Sequence, residues 1–365
     1  MKSLLATLAI LLATGSADAQ PTKIRRFAVI IGANDGGADR VKLRYARTDA
    51  TSVAKVLAEL GGVMRSDIWI LEDPSPATVN DTFAKAQVKI TRARAKGQRA
   101  ELLVYYSGHS DESGLLLGGK RYGYRALRAT ISQMPSDVNI AVLDSCASGG
   151  FTRTKGGKRR PPFLVDESSQ VRGYAFLSSS SVDEAAQESD KIRASFFTHY
   201  FVSGLRGAAD SNRDRKITLA EAYRFAFDET VQRTETTQAG PQHPSYDMHL
   251  AGTGDVVMTD LRATSARIIL APGIDGRVLV RDQKGRLVVE LSKSRGRPVT
   301  LGIGQGKYTV TWIADDTLAQ ATVELSRNQN LRLTRASFNA VKREKTVARG
   351  TAFRDRERDP VRFSV

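Results

Sequence analysis

A single cysteine, Cys146, stands in 365 residues. One thiol cannot close an internal disulfide, and it is too few for a structural zinc site of the cysteine-rich kind. Aromatic residues are sparse at 7% and do not alternate with the basic ones, which argues against nucleic acid as a partner despite a net charge of +16. No apolar run approaches the ~20 residues of a membrane-spanning helix. His199, His243 and His249 have no companions at metal-ligand spacing. His199 lies on an apolar helix and is expected to be packed, and Gln242-His243-Pro244 is expected to form a turn.

Hydrophobic residues make up 41% and charged residues 26%, so a sizeable core is available and wholesale disorder is excluded. The length suits about two domains. The basic residues are spread along the chain, which fits an anionic envelope surface as partner or simple solubility. Residues 1–19 read as a signal peptide. Lys2 supplies the positive start, Leu4 to Ala13 the apolar run, and Ala17-Asp18-Ala19 the cleavage site. The expectation is an exported protein, periplasmic or secreted; a buried N-terminal helix is the alternative. Exported proteins commonly carry cysteines in pairs, so the lone Cys146 is either a small buried hydrophobe or a reactive thiol.

Arg26 to Gly32 is a continuous apolar run ending in glycine, the pattern of a strand buried on both faces. Ala50 to Leu60 has helical spacing and stops at Gly61-Gly62, and Ile68 to Leu71 is a short strand. Thr78 to Lys96 is a second helix, bounded by Pro76 and Gly97. Leu102–Tyr106, Asn139–Leu143 and Tyr174–Leu177 are further strands. Strands alternating with helices predict an α/β fold with an open, mostly parallel sheet flanked by helices. After Leu261 the texture changes to short strands (277–281, 287–291, 307–312, 321–325), with Lys284-Gly285 in a hairpin turn. Residues 262–335 are therefore expected to form a small β-sandwich, and 336–365 a basic, flexible tail.

In such sheets chemistry sits beyond the carboxyl ends of the strands. Leu102–Tyr106 runs into Ser107-Gly108-His109, and Asn139–Leu143 into Asp144-Ser145-Cys146. A thiol and an imidazole thus arrive where this topology puts an active site. Cysteine peptidases need such a pair together with backbone N–H groups for an oxyanion, which the amides of Gly108 and Cys146 can supply. The run Ala147-Ser148-Gly149-Gly150 after the thiol lets a substrate backbone approach closely.

At these positions the sequence resembles the caspase/metacaspase peptidases. Tyr105-Tyr106-Ser107-Gly108-His109 and Leu143-Asp144-Ser145-Cys146-Ala147-Ser148-Gly149 are similar to that family's catalytic His and Cys motifs, and the similarity runs from about Arg26 to Leu261. It includes 174–188 and 195–205, which resemble the small-subunit half of the fold. Ala147 stands where metacaspases usually carry His, and the cysteine motif departs from that of animal caspases; both point to a bacterial caspase-like branch. The resemblance implies a caspase-hemoglobinase-like peptidase domain over 20–261, with Cys146 as nucleophile and His109 as base. It also places Asp49 and Asp144 in the pocket for the residue before the scissile bond (P1). Two acids there favour Arg or Lys and repel Asp. Asp49 has a plainer alternative as a cap of the helix beginning near Ala50.

The loop Phe151 to Pro162 follows the nucleophile and holds Arg153, Lys155, Lys158, Arg159 and Arg160. A basic-specific peptidase could cut itself there; a solvated charged loop is the alternative. Asp210, Asn212, Asp214, Lys216, Thr218 and Glu221 follow the twelve-residue EF-hand spacing between helices predicted at 196–206 and 219–231, which suggests Ca²⁺. Against it, Arg215 occupies the position that wants glycine, and Asp or Asn at a helix entry caps without metal. Two other readings of the whole chain are a catalytically silent scaffold of the same fold and an envelope-binding protein. No cofactor is required for the thiol chemistry.

Overall fold

The computed structural model describes residues 23–146, 148, 152, 171–181, 184–252, 254–315 and 317–341. The expected signal peptide, nearly all of the 151–162 loop, Ala147, Gly149, Gly150 and the chain beyond 341 lie outside these residues.

The strands β1 (Ile24–Ala33), β2 (Val63–Glu72), β3 (Arg99–Gly108), β7 (Val138–Asp144), β8 (Arg172–Ser178) and β12 (Ser245–Ala251) form a six-stranded sheet of order β12-β8-β7-β3-β1-β2. The numbering follows chain order. The small strands β4 (Ser110–Asp111), β5 (Gly114–Leu117) and β6 (Lys120–Gly123) form a separate sheet. All pairs in the large sheet are parallel except β12 against β8. Period-two alternation sends the side chains into two cores. Ala28, Ile30, Leu103, Tyr105 and Val142 pack on one face against α1 (Ala46–Glu59), α4 (Phe196–Ser203) and α5 (Leu219–Thr234). Phe27, Val29, Val104, Tyr106 and Leu143 pack on the other against α2 (Pro76–Ala95) and α3 (Tyr124–Ser132). Such a three-layer arrangement explains why β1, β3 and β7 read as unbroken apolar runs.

Helix boundaries follow local chemistry. Ser75 caps α2 by accepting the Thr78 N–H at 3.2 Å, and Pro76 fills the first turn. Helix α1 begins at Ala46, four residues before the expected start, with Tyr45 at the cap. Asp49 therefore lies inside the first turn and does not cap the helix, which corrects that alternative. Helix α4 ends at Ser203 and continues as a π-helical turn, Gly204–Ala208, where Gly207 takes φ 115°.

Short strands β9 (Glu188–Ser189) and β10 (Ala194–Ser195) make a hairpin over the carboxyl end of the sheet, and β11 (Lys216–Thr218) pairs with β13 (Val257–Asp260). Beyond them β14 (Ala266–Leu270), β17 (Val299–Ile303) and β20 (Gln329–Leu333) form one sheet. The facing sheet contains β15 (Gly276–Asp282), β16 (Leu287–Lys293), β18 (Gly306–Ala314), β19 (Thr317–Leu325) and β21 (Asn339–Ala340). One core, including Ile268, Val280, Leu301, Val310 and Trp312, fills the space between them. Gly285 turns the β15–β16 hairpin at φ 73°. The stretch expected as tail is ordered at its start. Phe338 packs edge-on against Trp312 at 5.6 Å between ring centres, and β21 pairs with β19. An aromatic side chain with a ring partner in reach gains too much by burial to stay in solvent.

Candidate active site

The last β3–β7 pair is Ser107↔Asp144, and His109 and Cys146 each follow two residues later. The two candidate reactive residues thus leave adjacent parallel strands side by side. One side-chain bond joins their turns, Ser110 Oγ donating to the Cys146 carbonyl, and Tyr106 Oη braces the His109 turn by donating to the His109 carbonyl at 2.5 Å. Gly108 must be glycine, because a Cβ there would lie 2.4 Å from the Tyr106 hydroxyl.

Each reactive side chain has another partner. His109 Nε2 lies 2.7 Å from the Val41 carbonyl, so that nitrogen carries the hydrogen. Val41 belongs to the 34–45 loop, which Asp73 anchors by accepting the Asn34 and Asp35 N–H groups at 2.7 and 3.1 Å. The ring of His109 also lies flush against Gly36, where a Cβ would approach Cδ2 to 2.5 Å. Cys146 Sγ faces the Ala186 carbonyl at 3.7 Å. Among the described residues no hydrogen bond joins His109 to Cys146. Burial pushes the Cys146 thiol up, and the Asp144 charge adds to this while Arg40 opposes it. The thiol is therefore protonated at neutral pH in this arrangement.

Behind the thiol, Asp49 and Asp144 are 2% and 3% exposed. Ser195 links them: its N–H donates to Asp49 Oδ2 at 3.2 Å, and its hydroxyl donates to Asp144 Oδ2. Thr198 Oγ1 donates to the same oxygen at 2.5 Å, and Ser107 Oγ sits 3.5 Å from Asp49 Oδ2. Asp144 Oδ1 has no partner. No Lys or Arg among the described residues forms an ion pair with either acid. Burial raises both carboxyls, that of Asp49 well above its usual range, and the neighbouring Asp144 charge raises Asp49 further.

The family model of the caspase domain matches residues 25–253. The chain belongs to the caspase-domain family. Among solved structures it is similar to caspase-1 from Spodoptera frugiperda, with 16% identity, 66% of this chain and 93% of that chain covered, and a TM-score of 0.47. A structure of pro-sf-caspase-1 is similar at 16% identity, covering 70% of this chain and 98% of that one, with a TM-score of 0.44. No curated protein matches the chain. The matched residues agree with the span expected from the motifs, about 26–261, and the C-terminal sandwich lies outside them.

Within this caspase domain, the remaining predicted residues are scattered. His199 is 6% exposed and faces Glu290 across 3.3 Å, a packed histidine as expected. His243 lies in the irregular stretch before β12 and pairs with Glu184 at 2.7 Å. In the 210–221 loop, Arg215 takes φ 67°, the left-handed conformation that favours glycine, held by its N–H to Asp210 Oδ2 at 3.2 Å. Asn212 Oδ1 accepts the Asp214 N–H, and Asp214 Oδ1 the Lys216 N–H. Both oxygens of Glu221 are engaged. One accepts from Ser211, and the other from Thr218 in a capping box that starts α5. Among the described residues no three His, Cys, Asp or Glu side chains are grouped to hold a metal ion. As folded, the loop closes on itself, and Glu221 is committed to the helix.

Four contributors went unassigned in the sequence. Ser195 and Thr198 reach the acidic pair only through tertiary contact, although both lie in or beside the family-like stretch 195–205. Gly36 and Val41 meet His109 from a polar loop that carries no motif.

Proposed function

We propose that the chain is an exported cysteine endopeptidase of caspase/metacaspase type, cutting proteins or peptides after Arg or Lys. The observation that carries this reading is the buried Asp49–Asp144 pair with its unpartnered oxygen. A P1 guanidinium would supply the missing donors, and an Asp side chain would be repelled.

In the mechanism, His109 takes the Cys146 proton as Sγ attacks the scissile carbonyl carbon. The N–H groups of Gly108 and Cys146 receive the oxyanion; each such donor is worth roughly 3–4 kcal/mol. Collapse of the intermediate breaks the C–N bond, and His109 gives its proton to the leaving amine. Water then hydrolyses the thioester by the same route in reverse order. The Val41 carbonyl keeps the hydrogen on His109 Nε2, which leaves Nδ1 as the base. Cys146 must turn from the Ala186 carbonyl to meet it, a rearrangement for substrate binding to drive. Fluorogenic peptides with Arg, Lys or Asp at P1 test the specificity. Cleavage after Arg or Lys is expected, and better cleavage after Asp rules the reading out.

Self-cleavage in the 151–162 loop rests on its five basic residues. Intact mass of wild type against Cys146→Ala decides it, since a wild type that stays whole does not process itself. Calcium at 210–221 rests on the spacing and on Asp210 Oδ1, which has no partner. It requires Glu221 to leave Ser211 and Thr218. Titration calorimetry showing no heat at millimolar Ca²⁺ removes it.

A silent scaffold is the second reading, favoured by the lack, among the described residues, of a hydrogen bond between His109 and Cys146 and by the raised thiol. An arginyl chloromethyl ketone that alkylates the wild type but not Cys146→Ala excludes it. Attachment of the basic chain to an anionic envelope is compatible with either reading and predicts salt-sensitive retention on anionic lipid.

A further inference from the structure

Helix α4 has two working ends. Its cap residue, Ser195, and its first-turn residue, Thr198, hold Asp144, while the Ser195 N–H holds Asp49. Thr198 is itself fixed by the Tyr105 hydroxyl of β3 at 2.5 Å. From its next residue onward the helix is gripped by the C-terminal sandwich. His199 Nε2 lies 3.3 Å from Glu290 Oε2, and Tyr200 Oη donates to Glu290 Oε1 at 3.2 Å. Ser203 Oγ accepts the Glu290 N–H at 3.1 Å. Glu290 is 1% exposed, and its carboxylate also takes Arg233 of α5 at 2.9 Å and Arg277 of β15 at 2.5 Å.

An ion cluster this deep is a poor device for stability alone, because desolvating its charges offsets most of their attraction. What it does supply is fixed geometry: Glu290 alone meets three residues of an eight-residue helix, His199 and Tyr200 through its carboxylate and Ser203 through its N–H. The far end of the helix is fixed as well, where Arg206 donates to the Gly302 carbonyl and Gly207 leaves no room for a Cβ against Thr300. His199, Tyr200 and Ser203 of α4 meet Glu290 of the sandwich, whereas Thr198 in its first turn meets the acidic pair.

We infer that Glu290 is a positioning residue for the P1 pocket, acting from the sandwich through α4 on Ser195 and Thr198, and through them on Asp49 and Asp144. This rests on the reading of those two acids as the basic-P1 pocket. The β-domain thereby sets the fit of substrate at a pair of acids to which, among the described residues, it makes no hydrogen bond or ion pair.

Glu290→Gln in the full chain keeps the shape and the Ser203 contact but removes the charge. KM for P1-Arg peptides is expected to rise roughly tenfold with kcat within about twofold, since only ground-state fit is disturbed. Alkylation of Cys146 by iodoacetamide, a small neutral probe, should keep its wild-type rate. Combining Glu290→Gln with Thr198→Val should raise KM no further than the larger single effect, because both act along one path. An unchanged KM in folded Glu290→Gln, multiplicative effects in the double variant, or an equal fall in kcat and alkylation rate overturns the inference. Should Glu290→Gln not fold, Tyr200→Phe and Ser203→Ala each remove one contact and must still raise KM. Absence of Arg cleavage by the wild type would instead defeat the pocket reading itself.

Discussion

Asp49 and Asp144 are the residues at which stability and function pull apart. Their folded carboxyl groups titrate above the ordinary range, chiefly through burial. A carboxyl with a raised folded pKa favours the fold at low pH, and that contribution is lost as pH rises through the folded value. At neutral pH both acids therefore strain the native state. Asp144→Asn is expected to raise the unfolding temperature, while kcat/KM for P1-Arg peptides falls roughly a hundredfold, as when one partner of a buried charge pair is removed. The sign of the thermal shift distinguishes this from a structural acid, whose loss would lower it. The same titration predicts that Arg cleavage declines on acidification at a pH above the usual aspartate range. A pH–KM profile whose acid limb falls near an ordinary Asp would contradict it. Gly36 gives a sharper steric test. Its missing side chain is what lets the His109 ring lie flat against the backbone. Gly36→Ala should lower kcat by at least about tenfold without changing the helical signal, because an ångström of displacement at the base costs rate rather than fold.

Among the secondary elements, what was legible in the sequence is what local physics decides. β1, β3 and β7 are buried on both faces, so their apolar runs announced them, and the residues at their ends followed. Helix α2 carried its own punctuation in Pro76 and Gly97. β12 carried none: it is an edge strand whose residues are nowhere fully buried, and Ser245–Ala251 shows no clean alternation. The three small strands between His109 and α3 are too short for any period to show. Asp49 and Asp144 could be assigned together only through family resemblance, since 95 residues separate them and Ser195 joins them from a third segment. The 210–221 loop shows how one spacing serves two structures, because an EF-hand position twelve is also a capping-box glutamate. Thr218→Ala should therefore cost about 1 kcal/mol of stability in calcium-free buffer, read from the urea midpoint. No loss there would mean that the box is not holding α5.

At the scale of the whole molecule, the two folded parts should unfold as one. Units joined by small polar interfaces usually move and melt separately. Here the contact between the caspase domain and the sandwich buries charge on both sides. Glu290 enters the cluster on α4 and α5, and Arg206, 3% exposed, bonds to both Glu59 and the Gly302 carbonyl. Glu229 of α5 accepts the Ser292 N–H at 3.2 Å. Removing the sandwich would leave Arg206 and the α4 face without these partners, and buried ionic groups stripped of theirs cost several kcal/mol. Full-length protein is accordingly expected to give one calorimetric transition, with calorimetric and van't Hoff enthalpies in agreement. Glu290→Ala should lower its midpoint while leaving it single. A chain ended at Leu261 should fail to give a cooperative transition of its own. Two resolved peaks in the full chain, or a truncated caspase domain that melts cooperatively at the wild-type temperature, would show that the sandwich is an appendage rather than part of the fold that shapes the site.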